Sequence, residues 1–259
     1  MKNLLLLAFL IVQSCNTETN EHAGHWSYQG ETGPEHWDEI EQQSDCNGVL
    51  QSPINIIDLD AVNDNTLDTL HIHYSNKTKI NDVRNNGHTI QYDFDKGDYI
   101  TLEDIRYDLA QIHFHEPAEH TLNGVRFPLE MHMVHLGPGN KIAVFAILAE
   151  EGAPSAPFDF LENYLPIQAG EKKQINTHFD LMQILPESKA YYTYEGSLTT
   201  PPCTEGVRWF VLKNPITISV GQVELLQKIM PLNNYRQTQP LNGRKIRCLK
   251  TILSGLKSE

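Results

Sequence analysis

The sequence predicts a mainly β fold of the α+β class: one domain built on an extended, mostly antiparallel sheet with a few short surface helices. Two observations lead there. From residue 69 to residue 212, short alternating segments rich in β-branched, aromatic and histidine side chains follow one another, separated by Gly, Asn and Asp. No linker, repeat or shift in composition divides Trp26 from Leu249, and 40% hydrophobic with 20% charged residues over 259 positions is ordinary for one globular unit.

Strands are predicted over residues 71–74, 89–94, 99–102, 110–115, 130–136, 142–148, 191–194 and 207–212. Asp95-Lys96-Gly97-Asp98 and Gly137-Pro138-Gly139-Asn140 carry the chemistry of tight turns. Helices are predicted over residues 158–164 and after Ser219, where Ser219 and Gln222 have capping-box spacing ahead of residues 223–230. Pro231 ends the second helix.

The N-terminus has a different character. Lys2 and Asn3 precede an apolar run over residues 4–12, the length of a signal-peptide core and too short to span a bilayer. Residues 1–15 are therefore read as an export signal, residues 16–25 as a polar tether and residues 26–257 as the folded domain. Val12-Gln13-Ser14-Cys15 resembles a bacterial lipobox, which would make Cys15 a lipidated anchor in the periplasm or at the cell surface; plain cleavage nearby would give a secreted protein. Export makes a disulfide possible, and without Cys15 three cysteines remain: Cys46, Cys203 and Cys248. Composition does not choose a pair among them. A formal net charge of −13 argues against nucleic acid and against binding an anionic membrane by any means but a lipid.

The most informative residues are histidines. In a strand, His113 and His115 project from one face while Phe114 points the other way, so two imidazoles can converge on one ion. A third nitrogen could come from His132 in the alternating run that follows, with His135 and His120 as competitors. Three neutral imidazoles with a fourth position open to water describe a catalytic zinc site. Gln111 shares the face of His113 and Glu130 that of His132, so each could orient an imidazole N–H. With 12 histidines in the chain, however, His-x-His also arises by chance, and cupins and amidohydrolases use it too.

Several ordered motifs resemble the alpha-class carbonic anhydrases, and bacterial, exported members in particular. They are Trp26-Ser27-Tyr28, Gly33-Pro34-Glu35-His36-Trp37, Gln51-Ser52-Pro53-Ile54-Asn55-Ile56, Asn85-Asn86-Gly87-His88, Gln111-Ile112-His113-Phe114-His115 and Glu119-His120. Glu130-Met131-His132-Met133-Val134-His135, Gly196-Ser197-Leu198-Thr199-Thr200-Pro201-Pro202-Cys203 and Pro240-Leu241-Asn242-Gly243-Arg244 continue the series.

The resemblance implies a twisted sheet of about ten strands, a conical cleft and one Zn2+ per chain held by His113, His115 and His132, with Gln111 and Glu130 behind them. It implies attack of zinc-bound hydroxide on carbon dioxide, with Thr199 donating to Glu119. Val134, Val144, Leu198, Val207 and Trp209 would form an apolar ledge for the substrate beside Thr200. His88 would shuttle protons, with Tyr28, Asn86 and Gln91 ordering the waters. Gln91 departs from the Asn common at that position. The resemblance further implies a Cys46–Cys203 disulfide, binding of anion and sulfonamide inhibitors and weak esterase activity, and leaves the oligomeric state open, a dimer included. Some relatives have lost zinc ligands and serve as adhesion or receptor domains, but here all three ligand positions are histidine.

Overall fold

The computed structural model describes residues 25–41 and 43–249. The expected export signal, Cys15 and all of the tether but His25 lie outside the described residues.

Eight strands form most of the main sheet: β1 (Thr78–Asn85), β2 (Ile90–Phe94), β3 (Ile105–His115), β4 (Leu129–Leu136), β5 (Ile142–Glu151), β6 (Lys172–Phe179), β7 (Tyr191–Ser197) and β8 (Glu205–Leu212). Their spatial order is β6-β1-β2-β3-β4-β5-β8-β7, continued by the short strands Arg247–Cys248 and Val62–Asn63. Among the described residues, and with its branches, the sheet counts 13 strands, more than the roughly ten expected. It is mostly antiparallel, with parallel pairings where β5 meets β8 and Ile216–Ile218 and where Arg247–Cys248 meets Val62–Asn63. Among the described residues three short α-helices accompany it: α1 (Trp37–Ile40), α2 (Ala156–Glu162) and α3 (Val220–Gln227). The Ser219–Gln222 capping box of α3 forms as the sequence predicts, and α2 begins two residues earlier than predicted, with Pro157 in its first turn.

Two of these eight strands escape the sequence pattern for identifiable reasons. In β1 a register shift between Ile80 and Asp82 puts the buried Ile80 and Val83 three residues apart, which destroys the alternation a strand is read by. β6 is an edge strand, polar and mostly exposed, as edges that avoid pairing with other chains tend to be.

The central strands bury both faces. On one side Ile112, Phe114, Met131, Met133, Phe145 and Ile147 pack against α2 and α3 through Phe158, Leu161 and Leu226. On the other, Val144, Ala146, Val207, Trp209 and Val211 pack with Ile54 and Ile56. The functional side chains rise from this second face. A disulfide joins Cys46 to Cys203, closing a loop over 157 residues, worth roughly 5 kcal/mol in the chain-entropy model. It sits where the Asp45 N–H donates to the Pro202 carbonyl, and so ties residues 199–203 to the N-terminal segment. Cys248 is a buried free thiol.

His135 lies on the core face, against Phe145, with Nε2 2.6 Å from the Tyr74 hydroxyl. Burial pushes its imidazole down to about 3. The unfolded imidazole, near 6.5, therefore takes a proton first, so the stabilisation from neutral His135 is whole above pH 6.5 and is lost as pH falls toward 3. Between pH 7 and 4 the wild type is expected to lose roughly 3 kcal/mol more unfolding free energy than His135→Gln, at 1.36 kcal/mol per pH unit. Urea titrations at the two pH values check this; parallel losses would contradict it.

Candidate metal centre and active site

Strands β3 and β4 pair so that His132 stands directly opposite His113, and on the other side of β3, Gln91 stands opposite His113. His115, two residues on, shares the face of His113. The ring centroids are 5.0 Å apart for His113 and His115, 5.0 Å for His113 and His132, and 4.6 Å for His115 and His132. One nitrogen from each lies within 4.8 Å of the others.

Their outer partners decide which nitrogens carry protons. His113 Nδ1 faces Gln111 Oε1 at 2.9 Å, His115 Nδ1 faces the Asn234 carbonyl at 2.7 Å, and His132 Nε2 faces Glu130 Oε1 at 2.7 Å. All three partners are acceptors, so each of these nitrogens donates and the other keeps a lone pair. The lone pairs of His113 Nε2, His115 Nε2 and His132 Nδ1 thus share one small space, with His113 Nε2 and His132 Nδ1 3.2 Å apart. Buried His115 Nε2 has no hydrogen-bond partner. Burial lowers all three imidazoles, His115 to about 4 and His113 well below its ordinary value, so they are neutral at pH 7. Three neutral donors of electron density without a proton between them fit a divalent cation, and nitrogen ligands suit zinc.

A second group that could hold an ion among the described residues, His120, Glu130 and His132, is closed by hydrogen bonds instead. His120 Nδ1 and His132 Nε2 both donate to Glu130 Oε1 at 2.7 Å, and Glu130 Oε2 accepts the backbone N–H groups of Glu119 and His120. Burial alone would raise the Glu130 carboxyl, but His120 and His132 together hold it well below the carboxylate range. His120 Nε2 then accepts from the Tyr194 hydroxyl at 2.7 Å. Of the three candidates for the third nitrogen, only His132 reaches the centre. His120 is engaged by Glu130 and Tyr194, and His135 faces the core.

Beside the histidines, Glu119 is fully buried, with Oε1 accepting the Arg236 N–H at 2.9 Å and Oε2 3.5 Å from His115 Nε2. Burial pushes its carboxyl up to about 7, while His132, the Thr199 hydroxyl and the Arg236 N–H work against that rise. Thr199 and Thr200 follow β7, whose Gly196 allows the chain to pass close to Ser52: a Cβ there would run into the Ser52 hydroxyl and the Tyr194 ring. Val134 and Val144 are cross-strand partners, as are Val144 and Trp209, and Val207, Leu198 and Trp209 join the same apolar cluster. The Trp209 ring centroid lies 4.9 Å from that of His132.

His88 sits in the turn after β1, where Asn86 Oδ1 accepts the N–H groups of His88 and Thr89. Its ring stacks on Trp26 at 3.7 Å between centroids, and its Nε2 is 3.1 Å from His25 Nε2. Burial, and then His25, lower its pKa. Tyr28 is edge-on at 6.2 Å, and Gln91 donates to Asp93 while lying 3.5 Å from the Asn86 amide. The sequence reading missed Asn234, whose contribution to His115 is a backbone carbonyl and leaves no trace in side-chain pattern.

Comparison with known proteins agrees with this geometry. The family model of eukaryotic-type carbonic anhydrases matches residues 32–250. The chain is similar to the carbonic anhydrase of Klebsiella pneumoniae, 42% identical over 228 residues that cover 86% of this chain and 91% of the relative. The Neisseria gonorrhoeae carbonic anhydrase is 39% identical over 225 residues, covering 86% and 87%. Among solved structures, the alpha-carbonic anhydrase from Thermovibrio ammonificans, in complex with the inhibitor sulfanilamide, matches with a TM-score of 0.82 and 40% identity over 86% of this chain and 98% of that one. The chain therefore belongs to the eukaryotic-type, or alpha, carbonic anhydrase family.

Proposed function

We propose that this chain hydrates carbon dioxide reversibly to bicarbonate and a proton with one Zn2+ held by His113, His115 and His132. The observation that supports it most directly is the convergence of three tautomer-fixed lone pairs on one space beside an apolar wall. Zinc bound there supplies Lewis acidity, lowering the pKa of a water from 15.7 to about 7.

The chain's own residues do the rest. Gln111, the Asn234 carbonyl and Glu130 hold the three rings in place. Glu119 Oε2 is buried without a hydrogen-bond partner; with zinc bound, the Thr199 hydroxyl would donate to Glu119 and, with its oxygen lone pairs free, accept from the attacking water and so aim it. Val134, Val144, Leu198, Val207 and Trp209 exclude water and accept an apolar substrate that needs no charged clamp. His88 takes the released proton to solvent over waters ordered by Tyr28, Asn86 and Gln91, a task suited to an imidazole, which can both accept and release a proton. Sulfonamides and small anions are expected to bind the same centre, since the similar Thermovibrio enzyme binds sulfanilamide.

The competing reading is a zinc hydrolase. It is tested by comparing carbon dioxide hydration with hydrolysis of an activated ester on the same preparation. Hydration is expected to exceed ester turnover by orders of magnitude, and the reverse ranking would overturn the reading.

We also propose export, with Cys15 lipidated, on the strength of the N-terminal apolar run and its Cys. A labelled fatty acid fed to a bacterial host should mark the wild type and leave Cys15→Ser unmarked. Equal labelling of the two would exclude the anchor.

A further inference from the structure

We infer that the Asn234 side chain is a positioning residue for proton transfer, tying the backbone of His88 to the strand that carries His113 and His115. The inference rests on the reading of His88 as the proton shuttle.

Asn234 is fully buried, and each polar atom of its carboxamide is used. Oδ1 accepts the Glu116 N–H at 2.7 Å, while Nδ2 donates to the Phe114 carbonyl at 3.0 Å and to the His88 carbonyl at 2.9 Å. The Phe114 carbonyl and Glu116 N–H flank His115, and they are groups a neighbouring strand would otherwise satisfy. Strand β2 pairs with β3 only as far as Gln91 and His113, so beyond that point the carboxamide stands in for the missing strand. Because one NH2 carries two donors, it bonds β3 and the His88 peptide at once.

Thr89 makes a second tie from the same turn: its hydroxyl donates to the Phe114 carbonyl at 2.6 Å and accepts the Phe114 N–H at 3.1 Å. Asn85 and Asn86 hold the turn internally through the N–H groups of Gly87, His88 and Thr89. The turn is therefore a stiff unit docked on β3 at two points. Relay of a proton through ordered water depends steeply on the separation of its end groups, and a misplacement of about 1 Å can cost on the order of 100-fold. Fixing the His88 backbone to the strand of the metal ligands fixes that separation.

The test uses the full zinc-loaded chain and the variants Asn234→Ala, Asn234→Asp and His88→Ala. Aspartate keeps the shape and the Oδ1 acceptor while removing both donors, so Asn234→Asp is the variant to read if Asn234→Ala does not fold. Three quantities are measured: kcat/KM, kcat in weak buffer with and without added imidazole, and the NMR shifts of the His88 ring protons, which the stack on Trp26 displaces. The Asn234 variants are expected to lose roughly 5- to 10-fold more in weak-buffer kcat than in kcat/KM, to regain most of that excess with imidazole, and to shift the His88 ring signals toward those of a free imidazole. Equal losses in kcat and kcat/KM, with no rescue and unmoved His88 signals, would assign Asn234 to the metal-ligand strand alone and overturn the inference. His88→Ala separates the two levels. If it loses rate in weak buffer while the Asn234 variants show no split, the inference fails and the shuttle stands; if His88→Ala keeps its rate, the shuttle reading itself fails.

Discussion

Replacing His113 with alanine is expected to abolish carbon dioxide hydration and to remove most bound zinc. The variant leaves two imidazoles on the centre and strips the Gln111 carboxamide of the N–H it holds at 2.9 Å. His132 Nδ1, which stands 3.2 Å from His113 Nε2 in the intact chain, would meet water in place of its neighbour. A loss of three decades in kcat/KM corresponds to about 4 kcal/mol of transition-state stabilisation, and the variant should lose at least that much. The fold should survive, because the core that faces away from the cleft, Ile112 and Phe114 included, is untouched. Hydration assays, metal analysis and circular dichroism on one preparation check the three parts. Stoichiometric zinc with near-normal turnover would show that the metal sits elsewhere.

The second large effect belongs to His88. His88→Ala should lower kcat in dilute buffer by roughly two orders of magnitude, the lower end of the range in which a positioned acid–base group contributes. The ratio kcat/KM for carbon dioxide should change far less, since it reports steps through bicarbonate release and not the later export of the proton. Imidazole in solution should restore much of the rate. The pH profile has a predictable sign: burial and His25 lower the His88 pKa below its ordinary 6.5, so the imidazole is unprotonated and available as an acceptor at neutral and basic pH, and kcat should fall as acid protonates it. Proportional loss of kcat and kcat/KM, with no rescue, would place His88 in the hydration step or in holding the cleft together.

Much of the site was legible because the period of a strand is short and its chemistry local. His113 and His115 share a face by alternation alone, and Gln111 and Glu130 sit two residues from the ligands they orient. Alternation could not choose among His120, His132 and His135, because that choice depends on register. The pairing of His132 with His113, and the placement of His135 on the core face, belong to the tertiary structure. Strand β1 stayed hidden because a register shift broke its period, and β6 because an edge strand carries no apolar face. Parallel pairing of β5 with β8 and the cross-turn role of Asn234 join segments distant in sequence, through backbone groups that no residue pattern encodes. The Trp26 and His25 contacts with His88 have the same origin: Trp26 stood in a recognised motif, but nothing local says which ring it covers.

The central claim, that three histidines hold a cation on which hydration depends, is tested most directly by titrating zinc into the chelator-stripped chain while following metal content and carbon dioxide hydration together. The structure predicts one tightly held zinc per chain, activity rising in proportion to it and levelling at one equivalent, and neither binding nor activity at that stoichiometry in His113→Ala. Full hydration activity in the stripped chain, or one tightly bound zinc that leaves hydration unchanged, would contradict it.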